Sequence, residues 1–460
     1  MAKRSGGTDP EARPDRLRRA GAPAQGRRWR VPLALFCLVA CVYGATVSTN
    51  PSPDAYTADF AGWHIARTGD PVPTISDFPL LDDNIIRETW LVTTADGREA
   101  VGRSPGVIAA VVPAYWLLGG DRLSAVPGGL TAALISAGTV TLFLLLLRDR
   151  IGTRRALPAA LLLAFGTPLW SVAADAVWPH TLTAFGIVGM AWAADRGRWW
   201  LVGLFGGVAL WGRLHAALIC AVLGVGVAWA RRRPGIAVRV GVAAVGLLAA
   251  MSLWTRWMYG RWDPSSGYRA GDFTGGAAAG VLDVLNYLGF VVSADRGLLW
   301  WAPLLVVLGP ALVRGWGGLP DWSRSLALAG VAYLLTQGAL VRFSGGDQFY
   351  GYRTSLELVV CLAPALALCA DRLGERGRRW LGPVAVLQVV LIAPGAVLDG
   401  FYVKVADVWW RNAFLDGWVR RPATMLVLVA ATLLAVWLVA RLLRAPRVVR
   451  LLEADAPTPA

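Results

Sequence analysis

The feature that most constrains this chain is a series of apolar segments, each about as long as a lipid bilayer is thick. Hydrophobic side chains make up 56% of its 460 residues, charged side chains only 16%, and the mean hydropathy is +0.50. One soluble core cannot bury that much apolar surface. Windows of about 20 residues, the length that a helix needs to cross the hydrocarbon layer, recur along the chain. The sequence therefore predicts an all-α polytopic membrane protein.

Basic residues beside the apolar segments predict their orientation. Residues 1–30 carry nine Lys and Arg against three acids, so the positive-inside rule places the amino terminus in the cytoplasm. Basic residues lie on both sides of 199–230, which requires an even number of crossings, so we divide this stretch into two short helices. About twelve transmembrane helices result, with both termini cytoplasmic. The predicted spans are 31–49, 123–147, 156–174, 178–194, 199–212, 215–230, 236–256, 297–313, 325–342, 355–370, 380–398 and 422–440.

The net charge of +15 comes from 45 basic and 30 acidic residues, and their distribution excludes nucleic acid as a partner. The cations are spread over small inner loops, whereas the first outer loop, 50–104, has nine acids and four arginines. The five cysteines lie in apolar runs without metal-ligand spacing, so neither a disulfide framework nor a structural zinc site is predicted.

Three regions follow from this map. Residues 1–30 are predicted to be a disordered basic cytoplasmic tail, 31–441 the transmembrane domain, and 442–460 a carboxyl-terminal cytoplasmic tail. The transmembrane domain includes an outer region, 50–122, with helices beside the membrane. The long outer loops are where we expect function, because loops of that length in a compact bundle usually carry it.

The first outer loop opens with the punctuation of a helix over 52–69: Ser52 as N-cap, Pro53 at the first helical position and Gly69 as terminator. Asp54 and Asp59 lie five residues apart, so they point to different sides and do not form a carboxylate pair. Asp54 is either a first-turn acid that complements the helix dipole or a functional acid.

Arg103 lies directly before an apolar segment, 105–118, that is too short to cross the bilayer comfortably. We predict an interfacial or re-entrant helix there. An Asp-Gly turn at 96–97 also predicts a small hairpin. Arg103 either extends its charge to a lipid head group or clamps a phosphate, and the sequence favours neither reading.

Ionisable residues at predicted membrane edges are further candidates for a substrate site, because such residues are costly there. Asp175 and His180 lie at one edge, and either could be only an interfacial group. Arg213 and His215 lie at the tip between the two short helices; a tip capped by water is the alternative.

The segment SGGDQFYGYR (344–353) combines flexible glycines with groups that suit a ligand. Tyr352 can stack on a sugar or hydrogen-bond to it, and Arg353 presents a planar fork to a phosphate. Asp347 adds a carboxylate. A turn alone would need only the glycines.

The order and sidedness of these segments resemble the GT-C glycosyltransferases, in particular bacterial relatives of the protein O-mannosyltransferases that use polyprenyl-phosphate sugars. The resemblance covers most of residues 31–400. The segments that carry it are PDAYTADFAGWHIARTGD (53–70), GRSPGVIAAVVPAYW (102–116), FGTPLWSVAADAVWPH (165–180), SADRGLLWWAPL (293–304) and SGGDQFYGYR.

The resemblance implies a hexosyl- or pentosyltransferase that moves a sugar from a polyprenyl-phosphate donor to an acceptor on the outer face of the cell membrane. The acceptor would be a glycan, lipid or protein of the cell envelope. Asp54 matches the family's loop acid, the expected general base, and Asp59 is the fallback. The family's second acid has Asp175 as its nearest equivalent, and a lysine frequent before the interfacial helix is Arg103 here. No metal ligand is assigned, and the need for a divalent cation stays open.

The chemistry of such a donor agrees with the residues. Its phosphate stays at the bilayer surface, so cations must neutralise the leaving group and a carboxylate must take the acceptor proton. Arg103, Arg213 and Arg353 are the predicted phosphate ligands. Displacement assisted by one carboxylate would invert the anomeric centre. The alternatives are a transporter or flippase, against which no internal repeat is seen, and a non-catalytic scaffold.

Overall fold

The computed structural model describes residues 29–73, 90–268 and 283–454, which form a bundle of helices with one small hairpin. The bundle helices of the first half are α1 (Arg30–Ala45), α4 (Val126–Ile151), α5 (Thr153–Phe165), α6 (Pro179–Asp195), α7 (Trp199–Gly212), α8 (Ala217–Ala230) and α9 (Gly235–Tyr259). Between α1 and α4 lie α2 (Pro53–Thr68), β1 (Leu91–Thr93), β2 (Glu99–Val101) and α3 (Pro105–Leu118).

The second half continues the bundle with shorter connecting helices. They are α10 (Val284–Val292), α11 (Leu298–Trp301), α12 (Leu304–Gly315), α13 (Asp321–Leu340), α14 (Leu356–Cys369), α15 (Glu375–Val397), α16 (Ala413–Arg420), α17 (Pro422–Arg444) and α18 (Pro446–Ala454). The predicted tail over 1–28, the end of the chain after 454 and the acids Asp77, Asp82, Asp83 and Glu88 lie outside the described residues.

Each predicted span contains a helix of the bundle, although two spans are interrupted. The helix predicted over 156–174 ends at Phe165, and a π-helical turn follows over Leu169–Ala173. Pro168 lacks an N–H group, and the hydroxyl of Thr167 accepts the N–H of Leu169 at 3.2 Å. The span predicted over 297–313 is likewise divided before α12, whose first N–H donates to Gln388 Oε1 at 3.1 Å.

Five stretches of the described chain are long and apolar enough to cross a membrane: Val126–Ile151, Gly235–Tyr259, Arg353–Arg372, Glu375–Val397 and Pro422–Arg444. Several other bundle helices are apolar but shorter, including the pair α7 and α8 that the basic flanks of 199–230 predicted. The number of twelve crossings therefore stays a prediction.

Small residues let the helices of the bundle approach closely. A Cβ atom on Gly186 of α6 would lie 2.5 Å from the carbonyl oxygen of Phe205 in α7. A Cβ atom on Gly106 of α3 would lie equally close to the carbonyl oxygen of Trp211, near the end of α7. The second contact places the start of α3 beside the turn that follows α7, and both carry predicted site residues.

The outer region forms a layer at one end of the bundle. Helix α2 packs on α3, and the two strands of the hairpin pair antiparallel with Thr93 opposite Glu99. Gly97 closes the hairpin with φ +86°, as the Asp-Gly turn predicted. The hydroxyl of Tyr259 at the end of α9 donates to Val101 O at 2.9 Å and fixes the hairpin to the bundle. This layer carries the predicted site residues Asp54, Asp59 and Arg103.

Candidate active site

Asp54 lies in the first turn of α2, where the sequence placed it. The Ser52 side chain caps the helix by accepting the N–H of Asp54 at 3.2 Å, and Gly69 ends it with φ +73°. The carboxylate forms ion pairs with Arg103 and with Arg353, the latter at 3.2 Å. It also accepts the indole N–H of Trp90 at 2.7 Å. One-third of this side chain remains exposed, so the carboxylate stays accessible to a ligand.

Arg103 extends from the end of the hairpin towards α2. Its Nε donates to the hydroxyl of Thr57 at 3.3 Å, and its guanidinium lies over the ring of Trp90, 5.6 Å from the centroid. The side chain is therefore directed at Asp54 and not only at a lipid head group. The contact with Asp54 therefore places Arg103 in the candidate site, and its role as a phosphate clamp stays a prediction.

Arg353 is held more tightly, between two aromatic rings. Its guanidinium carbon lies 4.4 Å from the ring centroid of Trp178 and 4.1 Å from that of Phe349, and the residue is only 7% exposed. It also donates to the carbonyl oxygen of Gly345, whose φ of +63° permits that turn. These three contacts hold the guanidinium group so that one edge of it points towards Asp54.

Arg213 and His215, in the turn between α7 and α8, both contact helix α13. Arg213 donates to the hydroxyl of Tyr333 at 3.2 Å and to Gln337 Oε1 at 3.4 Å. His215 Nε2 lies 2.6 Å from the same amide oxygen, and its ring stacks on Tyr333 with centroids 4.9 Å apart. The charges of Arg213 and Arg353 act on each other, which places them in one basic region. The tip between α7 and α8 is therefore contacted by protein side chains and not by water alone.

A buried acid accompanies Arg213. The carboxylate of Glu357 in α14 lies 2.7 Å from His180 Nδ1, and both side chains are 1% exposed. The same carboxylate lies 4.0 Å from Arg213. His180 is thus close to the basic region, as predicted for it, but its ring nitrogen is engaged by an acid that the sequence analysis did not select. Glu357 was recognisable as an acid inside an apolar span, a signal that we applied to Asp175, His180, Arg213 and His215 but not to Glu357.

Two effects of opposite sign set the pKa of Asp54. Burial by itself raises the pKa of this carboxyl, but the charges of Arg103 and Arg353 outweigh burial and hold the pKa below its ordinary value. The carboxylate is therefore ionised at neutral pH and serves as counter-ion to both guanidinium groups.

Several buried polar atoms of the basic region have no hydrogen-bond partner within the described parts of the chain. They are Arg353 Nε, Gln337 Nε2 and Glu357 Oε2. Buried polar groups are normally paired, so these three atoms are candidates for contact with a polar ligand. The set offers two donors and one acceptor.

The structure separates Asp59 from this cluster. Its side chain is fully buried beside Gly128 at the start of α4, and neither carboxyl oxygen is hydrogen-bonded to any described residue. Burial raises the pKa of this carboxyl well above its ordinary value. The neighbouring Tyr115 donates its hydroxyl to Ser124 O at 2.8 Å instead. Asp54 and Asp59 thus face different surroundings, as their spacing predicted.

The remaining predicted residues lie apart from the ion pairs of Asp54. Tyr352 is fully buried in the core, and among the described residues its hydroxyl has no partner. Asp347 accepts the N–H of Val405 at 2.6 Å and fixes a neighbouring loop. Asp175 lines a cavity of about 630 Å³ that adjoins Trp178 and Phe349, the two rings that enclose Arg353.

No cluster of three or more His, Cys, Asp or Glu side chains able to hold a metal ion occurs within 29–73, 90–268 and 283–454. Positive charge beside Asp54 comes from arginine side chains. The open question of a divalent cation is therefore one for experiment.

Comparison with solved structures identifies the fold. The crystal structure of ArnT from Cupriavidus metallidurans bound to undecaprenyl phosphate covers 94% of this chain and 74% of its own, with a TM-score of 0.54 and 18% identity. The apo structure of the same protein covers 92% of this chain and 74% of its own, with a TM-score of 0.52 and 18% identity. No protein-family model matches the chain, and no curated protein sequence matches it.

The prediction of a GT-C fold is therefore confirmed, because ArnT is a GT-C glycosyltransferase and the likeness extends over nearly the whole chain. At 18% identity the likeness establishes the fold alone. Together with the long apolar helices, this fold makes the chain a multi-pass membrane protein.

Proposed function

We propose that this protein transfers a sugar from a polyprenyl-phosphate donor to a hydroxyl of a cell-envelope acceptor. The observation that carries the proposal is the carboxylate of Asp54 held between Arg103 and Arg353 in the outer layer of a GT-C fold. These are a base and two phosphate ligands in contact, which is what such a transfer needs.

The donor phosphate and Asp54 would compete for the same cations. When the phosphate binds Arg103 and Arg353, it replaces the carboxylate as their counter-ion, as an anion fits the guanidinium fork. The negative charge of the phosphate and the loss of the two ion pairs then both raise the pKa of Asp54. Donor binding would thus convert a weakly basic counter-ion into a general base.

The transfer itself requires one displacement. The acceptor oxygen attacks the anomeric carbon while the bond from that carbon to the phosphate oxygen breaks, and the acceptor proton passes to Asp54. The bonding pair stays on the polyprenyl phosphate, whose charge Arg103, Arg353 and Arg213 neutralise. Attack opposite the leaving phosphate inverts the anomeric centre.

The donor sugar would lie against the unpaired polar atoms of the basic region. Gln337 Nε2 is a donor to a sugar oxygen and Glu357 Oε2 an acceptor from a sugar hydroxyl. Since Arg213 and His215 fix Gln337, and His180 fixes Glu357, both groups are held in place before the sugar binds.

The experiment follows label from polyprenyl-phosphate sugars in membranes that contain the wild type, Asp54→Asn or the control Asp96→Asn, an exposed hairpin acid. We expect Asp54→Asn to lower transfer at least about 100-fold, the usual size of a lost general base. Undecaprenyl phosphate should bind this variant at least as tightly as the wild type, because a competing anion is gone.

Equal transfer by the wild type and Asp54→Asn would remove Asp54 as the base. No turnover of any labelled lipid by the wild type would favour the transporter. Because arginines supply the charge beside Asp54, we expect transfer to persist after chelation with EDTA; its loss would assign a divalent cation to the reaction.

A further inference from the structure

A cavity adjoins the basic region. It is the cavity of about 630 Å³ lined by Trp178 and Phe349, and it lies within the size range of small-molecule sites. Tyr350, Phe401 and Tyr402 also line it. The rings of Tyr350 and Phe401 stack with their centroids 5.6 Å apart. Aromatic faces of this kind suit the apolar faces of sugar rings as well as other flat groups.

The charges of this cavity are opposite to those around Asp54. Asp175 and Asp399 line it, and none of its described lining residues is Lys or Arg. Asp399 accepts the hydroxyl of Thr49 at 3.2 Å, whereas Asp175 has a buried carboxyl oxygen without a partner among the described residues. An anionic ligand would meet uncompensated carboxyl groups here, and a ligand rich in hydroxyl donors would satisfy them.

Burial and then the charge of Asp399 raise the pKa of Asp175 well above its ordinary value. A neutral carboxyl group both donates and accepts hydrogen bonds, as a sugar hydroxyl does. A neutral polyol can therefore exchange hydrogen bonds with the carboxyl groups of the cavity.

Helix α2 contributes residues both to this cavity and to the cluster around Asp54. Ser52, Pro53 and Thr57 line the cavity from the same turn that carries Asp54. The Thr57 hydroxyl lies 3.3 Å from Arg103, so this residue touches both sides. A hydroxyl bound in the cavity would therefore lie beside the helical turn that carries the base.

We propose that this cavity binds the acceptor and that the acceptor segment beside the reacting hydroxyl is a neutral, hydroxyl-rich glycan without phosphate or carboxylate groups. The inference rests on the proposed function and adds the acceptor class to it. The shared wall formed by α2 and the Trp178 and Phe349 rings would keep acceptor and donor phosphate apart until they meet at Asp54.

The first test identifies the product. Label transferred in membranes from the polyprenyl-phosphate sugar is recovered, and the attached acceptor fragment is analysed by mass spectrometry. We expect a neutral saccharide at the attachment point. Label attached directly to a phosphate-bearing or uronic acid unit would overturn the inference and leave the proposed function intact.

The second test changes the cavity. We expect Asp175→Ala and Asp399→Ala each to raise the KM for the acceptor about tenfold, the effect of one strong hydrogen bond, with undecaprenyl phosphate binding unchanged. Asp121→Ala, which removes an exposed acid outside the cavity, is the matched control. An unchanged acceptor KM in variants that still bind the lipid phosphate would refute the cavity assignment. Absence of donor turnover by the wild type would instead refute the proposed function.

Discussion

At the scale of single residues, two acids of one helix illustrate how surroundings decide the role of a carboxyl group. Asp54 has two arginines and one-third of its surface exposed, so its pKa is low and its charge is available. Asp59 has no exposed surface and no cation beside it among the described residues, so burial raises its pKa well above the ordinary value. Five residues of sequence thus separate two carboxyl groups whose surroundings shift the pKa in opposite directions.

The buried Asp59 yields a prediction about stability and pH. Its folded pKa lies above the unfolded value of about 3.9, so between those values the folded state holds a proton that the unfolded state has lost. Stability contributed at this site therefore falls as pH rises through that window, by about 1.4 kcal/mol per pH unit. We expect Asp59→Asn, which has the same shape and no proton to lose, to unfold at a higher temperature than the wild type at pH 8.

The gain in melting temperature should be smaller at pH 5 than at pH 8, measured in the same detergent. Sugar transfer by Asp59→Asn should stay within about twofold of the wild type, in contrast to Asp54→Asn. A gain independent of pH would show that Asp59 is ionised in the fold. A loss of transfer as large as that of Asp54→Asn would restore Asp59 as the base.

At the scale of elements, a column of alternating rings and guanidinium groups joins the outer segments. Trp178, Arg353, Phe349 and Arg296 lie on one another in that order, and Arg296 is 3.9 Å from the centroid of Phe349. Arg296 is fully buried, pairs with Asp295 and donates to the carbonyl oxygens of Ser344, Phe349 and Val403. The position of Arg353 thus depends on a residue that does not touch Asp54.

Removing Arg296 should destabilise the protein strongly. In Arg296→Met, Asp295 loses its counter-charge and three carbonyl oxygens lose a donor, so we expect a loss of about 3–5 kcal/mol in the free energy of unfolding. The partly exposed pair of Arg324 and Asp321 is the control, and Arg324→Met should cost below about 1 kcal/mol. Thermal unfolding in detergent measures both.

The double variant Asp295→Asn with Arg296→Met separates charge from packing. If the uncompensated carboxylate causes the loss, the double variant should recover part of the stability of Arg296→Met. A double variant less stable than the single one would assign the loss to the missing hydrogen bonds and stacking. Weaker binding of undecaprenyl phosphate to stable variants would confirm that the column positions Arg353.

Local sequence signals predicted the bounds of several helices. The features that the sequence did not predict depend on contacts between residues far apart in the chain. Ser52, Pro53 and Gly69 delimit α2, and the segment 105–118 is a helix with the predicted bounds. The break after Phe165 was missed because the buried carbonyl group of Gly166 is satisfied by Gln388, 222 residues away. In the same way Asp54, Arg103 and Arg353 were each selected, but Trp90, which also contacts Asp54, was not. The pairing of Asp54 with Arg353 spans 299 residues, and no sequence period encodes it.

At the scale of the whole molecule, contacts between helix ends sort the loops into two sets. One set joins segments predicted to be cytoplasmic: Arg150 with Asp195, Arg196 with Asp149, Arg231 with Asp321, and Arg154 with Glu453. The other joins segments predicted to be outside: Thr49 with Asp399, Ala95 with Tyr259, Asp54 with Arg353, and Asp295 with Ala413. None of these eight contacts joins a predicted inner loop to a predicted outer loop.

The structure thus agrees with the predicted grouping of loops but does not say which end faces the cytoplasm, and this gives the last prediction. The positive-inside rule assigns the end with Arg150 and Arg231 to the cytoplasm, so Asp54 faces outward, where a polyprenyl-phosphate donor and an envelope acceptor would meet. Two cysteine substitutions test it after Cys37 and Cys41, both exposed, are changed to Ala. In intact cells a membrane-impermeant maleimide should label Asp96→Cys in the hairpin, and should label Glu375→Cys at the start of α15 only after permeabilisation. The reverse pattern would place the site inside and would overturn both the topology and the outer-face acceptor.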